Sequence, residues 1–176
     1  MKQVMVDLET MGRLPGCAII AIGAVKFDMS GIDSGQPFYR NVNLKSCMDW
    51  GLTIDPDTLM WWLQQSADAR EALFRNQLPL KECLEDFADW MGGDLPVWGC
   101  GAAFDNPILS VAFDKTNVKR PWTYRNDRCY RTMREICPDI EVERVGTYHN
   151  ALDDAKTQAL HLIRILKELP EGHMLG

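Results

Sequence analysis

Two apolar, β-branched runs open the chain, residues 2–8 (KQVMVDL) and 18–27 (AIIAIGAVKF), with a Gly/Pro-containing turn at 12–16 between them. Runs of this length and composition read as neighbouring strands. The chain therefore starts by building a sheet, and the remainder has to cover it. Residues 37–43 supply a plausible third strand. A helical region follows: DPDTLMWWLQQ (55–65) opens with acids and a proline, SADAREALF restarts after Ser66, and LKECLEDFADWM (80–91) carries apolar residues at spacings of three and four. LPVWGCG (95–101) reads as a buried strand followed by a helix from about Asn106, another strand and short helix lie within 121–137, and a last helix runs from about Ala151 to Leu169. Strands first, then strands alternating with helices, is the pattern of an α/β domain with a mixed sheet. No repeat or linker interrupts it, so one domain over 1–170 with a short tail at 171–176 is expected.

Composition removes several classes of protein. With 176 residues, 46% hydrophobic and 25% charged, the chain can bury an ordinary core. Its longest apolar run, near Cys17–Val25, is far short of a membrane span, and the N-terminus lacks a signal-peptide layout. A soluble, cytoplasmic protein with no membrane partner is expected. The six cysteines (17, 47, 83, 100, 129, 137) contain no C-x-x-C pair, which argues for reduced, mostly buried thiols. The formal net charge of −6 disfavours a protein that grips long duplex by general electrostatics.

Against that background the stretch VDLETMG (6–12) is anomalous. Side chains alternate along a strand, so Asp7 and Glu9 share one face while Val4, Val6 and Leu8 share the other. The chain has four acid-x-acid pairs, and the other three sit in polar surroundings. Two like charges near a core cost free energy unless a cation or hydrogen-bond donors compensate; a strand end reaching solvent is the alternative. Asp105, in GCGAAFDNPIL, follows the second buried strand, where open α/β sheets place their sites, although an Asp before Asn-Pro is equally a good helix N-cap. In HNALDDAKTQALHLIRIL, Leu152, Ala155, Ala159, Leu162, Ile163 and Leu166 form an apolar stripe from which Asp153 and Asp154 lie off by similar angles. Geometry does not choose between them, and both could simply complement the helix dipole. Of the three histidines, only His149 has acids and a glycine-containing loop beside it.

Taken in order, these stretches resemble the DnaQ-like exonucleases of the DEDDh type, the superfamily of proofreading domains, RNase T and oligoribonuclease. Its D-x-E-T motif is matched by Asp7-Leu8-Glu9-Thr10, its aspartate after an aromatic by Phe104-Asp105, and its H-x-x-x-x-D by His149 and Asp154, which on this resemblance selects Asp154 over Asp153. TLMWWLQQ and RPWTYRNDRCYRTM are similar to the small group that includes phage exonuclease A and a mycobacterial exoribonuclease. The resemblance implies an RNase H-like mixed β-sheet flanked by helices, and a 3'→5' exonuclease acting on single-stranded RNA or DNA 3' ends to release nucleoside 5'-monophosphates. It further implies two divalent cations, Mg²⁺ or Mn²⁺, held by Asp7, Glu9, Asp105 and Asp154, with His149 as general base. Such ions would bring the formal charge from −6 to −2, so an anionic substrate is not excluded. A homodimer is implied on the same ground.

For substrate grip, the resemblance puts Thr10, Met11 and Phe104 near the terminal nucleoside, although Met11 could be an ordinary turn residue. On a helix over 57–65, Leu59, Trp62 and Leu63 share a face and Trp61 points nearly opposite, free to stack on a base or to pack on a neighbour. From Lys119 to Arg134 there are six cationic residues and one acid, a segment suited to phosphates or simply solvated. Two further readings remain open: a catalytically inactive nucleic-acid-binding module of the same fold, and a purely structural α/β protein.

Overall fold

The computed structural model describes residues 1–169; the tail expected at 171–176 lies outside the described residues. The two N-terminal runs form β1 (Gln3–Thr10) and β2 (Ile19–Asp28), paired antiparallel over nearly their whole length, from Gln3 opposite Phe27 to Thr10 opposite Ile19. A two-residue strand, β3 (Gly31–Ile32), and β4 (Phe38–Asn41) both pair with β2, while β5 (Val97–Gly99) joins the other edge of β1 in parallel and β6 (Asp127–Cys129) extends it. β1 is therefore central, and its backbone is held from both sides.

Helices cover the two faces. α1 (Leu44–Asp49), α2 (Pro56–Leu63), α3 (Ala67–Leu73) and α4 (Leu80–Met91) connect β4 to β5; α5 (Asp105–Thr116) links β5 to β6; α6 (Tyr130–Ile136) and α7 (Ala151–Glu168) close the chain. Val4, Val6 and Leu8 pack with Leu84, Phe87, Leu109 and Phe113 from α4 and α5. Met5 faces the opposite way and packs with Val25, Phe27, Ala155, Ala159 and Leu162 under α7. Each fully buried Val, Leu, Phe or Met among them contributes about 1.5–3 kcal/mol. The alternation places Asp7 and Glu9 on the α7 face.

α7 reaches the sheet unusually closely there. Gly23 sits opposite Asp7 in the β1–β2 register, and a Cβ at Gly23 would lie 2.2 Å from the Ala151 carbonyl carbon and the Leu152 nitrogen. Only glycine lets the first turn of α7 seat on β2, directly beside the two acids.

Several expectations change. β1 runs on to Thr10, so its acids are not a strand end in solvent: Glu9 is only 8% exposed. β3 and α1 were not anticipated; α1 starts where Asn43 caps Ser46 N–H, a signal that lies at the end of the expected third strand. Asp105 is not the N-cap of α5: that position is Phe104, and Asp105 is the first helical residue. On α2, Trp62 is buried as expected, but Leu59 and Leu63 are exposed, because the helix lies on the surface and turns inward only at Trp62, whose indole N–H donates to Thr10 O at 3.0 Å. Among the six cysteines, Cys17, Cys47 and Cys83 are buried and the other three half-buried, all free thiols. No helix among the described residues is long and apolar enough to cross a membrane.

Candidate active site

Asp7 and Glu9 from the middle of the sheet and Asp154 from the first turn of α7 each present a carboxylate oxygen within 4.8 Å of the others. Asp153 turns away; it accepts from Thr147 N–H at 2.9 Å and pairs with Lys156 at 3.6 Å. The tertiary structure thus separates two adjacent acids that helical periodicity leaves equivalent. One turn after Asp154, Gln158 donates its Nε2 to Asp7 Oδ1 at 2.7 Å, and its Oε1 is buried without a hydrogen-bond partner.

Asp105 stands beside this trio and not within it. It is 1% exposed, and both carboxylate oxygens are taken: Oδ1 accepts from Leu8 N–H at 3.2 Å and Oδ2 from Cys100 N–H at 2.6 Å. Its carboxylate joins the end of β5 to β1 where the short β5 no longer does so. Burial pushes it up to about 6 against these hydrogen bonds. Asp7 is raised well above the ordinary carboxylate range by burial first and then by the charges of Asp105, Glu9 and Asp154. Glu9 is pushed up to about 8 by burial, then by Asp154 and Asp105, with Arg144 opposing.

Four acids in so small a space demand positive charge. Part of it comes from Arg144, whose guanidinium donates to Asp154 Oδ1 and to Thr147 O and lies 4.4 Å from the centre of the Tyr148 ring. The donor set also suits hard divalent cations: every ligand atom in the trio is a carboxylate oxygen, and Gln158 Oε1 is a further buried oxygen in want of a partner.

Through Glu9 the trio meets a cavity of about 530 Å³ lined also by Thr10, Trp61, Trp62 and Phe104, with Arg13, Asp57 and Thr58 at its polar part. Trp61, 41% exposed, faces it. Thr10 is buried, its hydroxyl donating to Gly12 O at 2.6 Å. Met11 packs on the core and does not line the cavity. His149 stands on the tryptophan side, its ring 5.0 Å from Trp61 and 6.4 Å from Trp62, with the backbone left-handed at φ 61° just before the N-cap Asn150. Most of the basic segment is turned to local partners, such as Arg120 to Ser110 and Arg128 to Arg125 O, but Arg131 donates to Cys100 O at 3.2 Å, beside Asp105.

A family model for the Rv2179c-like 3'-5' exoribonuclease domain matches residues 2–166. The chain belongs to this family. It is a 3'-5' exonuclease, with the RNase H-like α/β fold of the DEDDh nucleases. The fold is shared with the nuclease domain of 3'hExo, a DEDDh family member bound to rAMP (13% identity over 94% of this chain and 92% of that one, TM-score 0.62). It is shared also with Exonuclease X in complex with 5' overhanging duplex DNA (19%, 94% and 91%, 0.60) and with Pop2p of S. pombe in its Mg²⁺ and Mn²⁺ bound form (14%, 97% and 86%, 0.63). No curated protein sequence matches. Two residues that touch these acids were not among those expected from the sequence. Gln158, four residues after Asp154, was within reach of helical spacing; Arg144, in an irregular loop, had no local signal.

Proposed function

We propose that this exonuclease hydrolyses the terminal phosphodiester of single-stranded RNA or DNA, or of 3' overhangs, releasing nucleoside 5'-monophosphates. One observation carries the reading: three carboxylates converge within 4.8 Å beside an aromatic-lined cavity, in a chain of an exoribonuclease family. Two divalent cations, Mg²⁺ or Mn²⁺ as in the Pop2p structure, would be held by Asp7, Glu9, Asp105 and Asp154 and would neutralise charge building on the phosphoryl oxygens. Asp105 would serve through the amides it already binds as well as through its charge.

The chain's own residues supply the rest. His149 accepts a proton from the attacking water as its oxygen bonds to phosphorus, and the bond from phosphorus to the 3' oxygen of the preceding nucleotide breaks, that oxygen leaving to be protonated. Glu9, Thr10, Trp61 and Phe104 border the space for the terminal nucleoside, and the exposed ring of Trp61 offers a stacking surface indifferent to base identity. Met11, packed on the core, would act by supporting this wall. Arg131, which donates to Cys100 O at the β5 end of the site, would meet a phosphate upstream of the scissile bond.

We further propose that residues 1–170 form one exonuclease domain, working in the cytoplasm as a homodimer. The exposed Met60 and Leu63 on α2 and Phe74 at the C-cap of α3 support a self-association surface, which sedimentation at micromolar concentration tests. The deciding experiment for activity is digestion of matched 5'-labelled RNA and DNA oligonucleotides with Mg²⁺, Mn²⁺ or EDTA. A metal-dependent ladder shortening from the 3' end is expected, and relative rates name the preferred sugar. Binding of both without cleavage would sink the proposal in favour of an inactive module.

A further inference from the structure

The segment between α6 and α7, residues 137–150, contains neither helix nor strand, yet α7 grips it along its length. Asp153 accepts from Thr147 N–H at 2.9 Å. Thr157 Oγ1 accepts from Val145 N–H at 3.0 Å and lies 3.2 Å from Val145 O and 2.8 Å from Asp153 O, either of which can take its proton. His161 Nε2 lies 2.7 Å from Ile140 O, and Arg164 donates to Glu143 at 2.9 Å. Positions 153, 157, 161 and 164 follow the i+4, i+4, i+3 rhythm of one helix face. They are the row on which the segment lies.

Two members of the row are buried polar residues that the reaction above does not use: Thr157 is 4% exposed and His161 2%. The polarity at His161 follows from its partners. A carbonyl only accepts, so Nε2 carries the proton donated to Ile140 O, and Nδ1 accepts from the Tyr130 hydroxyl at 2.7 Å. The imidazole therefore bridges α6 and the segment. Gly146, at φ 70°, brings the segment hard against Asp153: a Cβ there would fall 2.1 Å from Asp153 Oδ2. The segment then reaches His149, whose ring lies 5.0 Å from that of Trp61, one residue before the α7 N-cap.

We propose that Thr157 and His161 are positioning residues, which fix the 137–150 segment on α7 and so set where the His149 ring stands relative to Asp7, Glu9 and Asp154. The inference rests on His149 being the general base. α7 contributes Asp154 directly, so one rigid helix places both a carboxylate and the segment that carries the base. Placement errors of about 1 Å at a reacting group cost on the order of a hundredfold in rate.

The test is steady-state hydrolysis of a single-stranded oligonucleotide by Thr157→Val and Thr157→Ser, each alone and with His149→Ala, with Mn²⁺ affinity measured by calorimetry. Thr157→Val is expected to lower kcat about tenfold or more while KM and Mn²⁺ affinity stay within about twofold. Thr157→Ser, which keeps the hydroxyl, restores the rate. In the His149→Ala background Thr157→Val has no further effect, since the group it positions is gone. Unchanged kcat, an equal further loss in that background, or a parallel fall in Mn²⁺ affinity each overturns the inference. Normal turnover of His149→Ala alone overturns the reading of His149 itself, and the inference with it. Should Thr157→Val fail to fold, His161→Leu against His161→Gln, which keeps a donor for Ile140 O, gives the same comparison.

Discussion

The two sides of the cleft are built on opposite terms. On the acid side, Asp7, Glu9, Asp105 and Asp154 come from a central strand and two helix starts and are largely buried, and burial first, then the charges of Asp154 and Asp105, holds Glu9's proton up to about 8. On the aromatic side, Trp61 sits on a short surface helix anchored mainly through Trp62, with 41% of its surface exposed and no charge to bury. The acid side costs stability and needs a rigid frame; the aromatic side costs little and tolerates change. On the proposed reaction, substitutions on the first side act on chemistry and those on the second on substrate affinity.

The largest effect should come from Asp7→Ala or Asp154→Ala, each lowering kcat by about 10³-fold or more with the circular dichroism spectrum unchanged. If either instead raised KM at near-normal kcat, the division between the two sides would be wrong. Asp105→Ala should be as inactive and also unfold earlier, by roughly 2–4 kcal/mol in denaturant titration, because it strands the buried Leu8 amide and the part-buried Cys100 amide. His149→Ala is expected to lower kcat about a hundredfold while calorimetric Mn²⁺ binding survives.

The acid side should also be legible in stability alone. Glu9's carboxyl keeps its proton to about 8 in the fold against an ordinary 4.5, so between those values the unfolded chain binds fewer protons and stability falls as pH rises. In EDTA the thermal midpoint should drop roughly 5–10 °C from pH 5 to pH 8. Millimolar Mn²⁺ should reverse the drop, and Glu9→Gln should reduce it, leaving the part carried by Asp7 and Asp105. A midpoint that rises with pH in EDTA would show the repulsion to be compensated within the chain.

Trp61→Ala belongs to the other side, and should raise KM by the equivalent of about 1–3 kcal/mol of stacking at unchanged kcat, equally for RNA and DNA. A loss confined to kcat would mean that Trp61 acts by bracing His149, 5.0 Å away. Smallest of all, Arg131→Ala should reduce the slope of log affinity against log salt by about one; an unchanged slope removes its phosphate role.

Local signals carried much of this. The two N-terminal runs, the Asp55-Pro56 and Ser66 helix starts and the Val97 strand are written in composition and periodicity, and all appear where expected within a residue or two. α1 has no separate local signal because its Asn43 cap lies two residues beyond the end of β4, and β3 has none because two residues carry no period. Asp7 and Glu9 were visible as a pair because a strand's alternation is a local rule and an apolar setting makes charge conspicuous.

By itself the sequence determined which residues could alternate, cap and cluster along the chain: the sheet-first order of elements, the shared face of Asp7 and Glu9, the ordered motifs that resemble one nuclease superfamily. Only the tertiary structure decided what those residues meet. Helical periodicity left Asp153 and Asp154 equivalent until α7, seated on Gly23, aimed one at β1 and the other at Thr147. Nor could it foresee Arg144 on Asp154, Asp105 spent on two backbone amides, or His149 reached through a segment clamped by Thr157 and His161. The physical reason is the same in each case: periodicity is set by bonds between neighbours in the chain, whereas a charge or a hydrogen-bonding group is satisfied by whatever folding brings within about 3 Å of it, at any distance along the sequence.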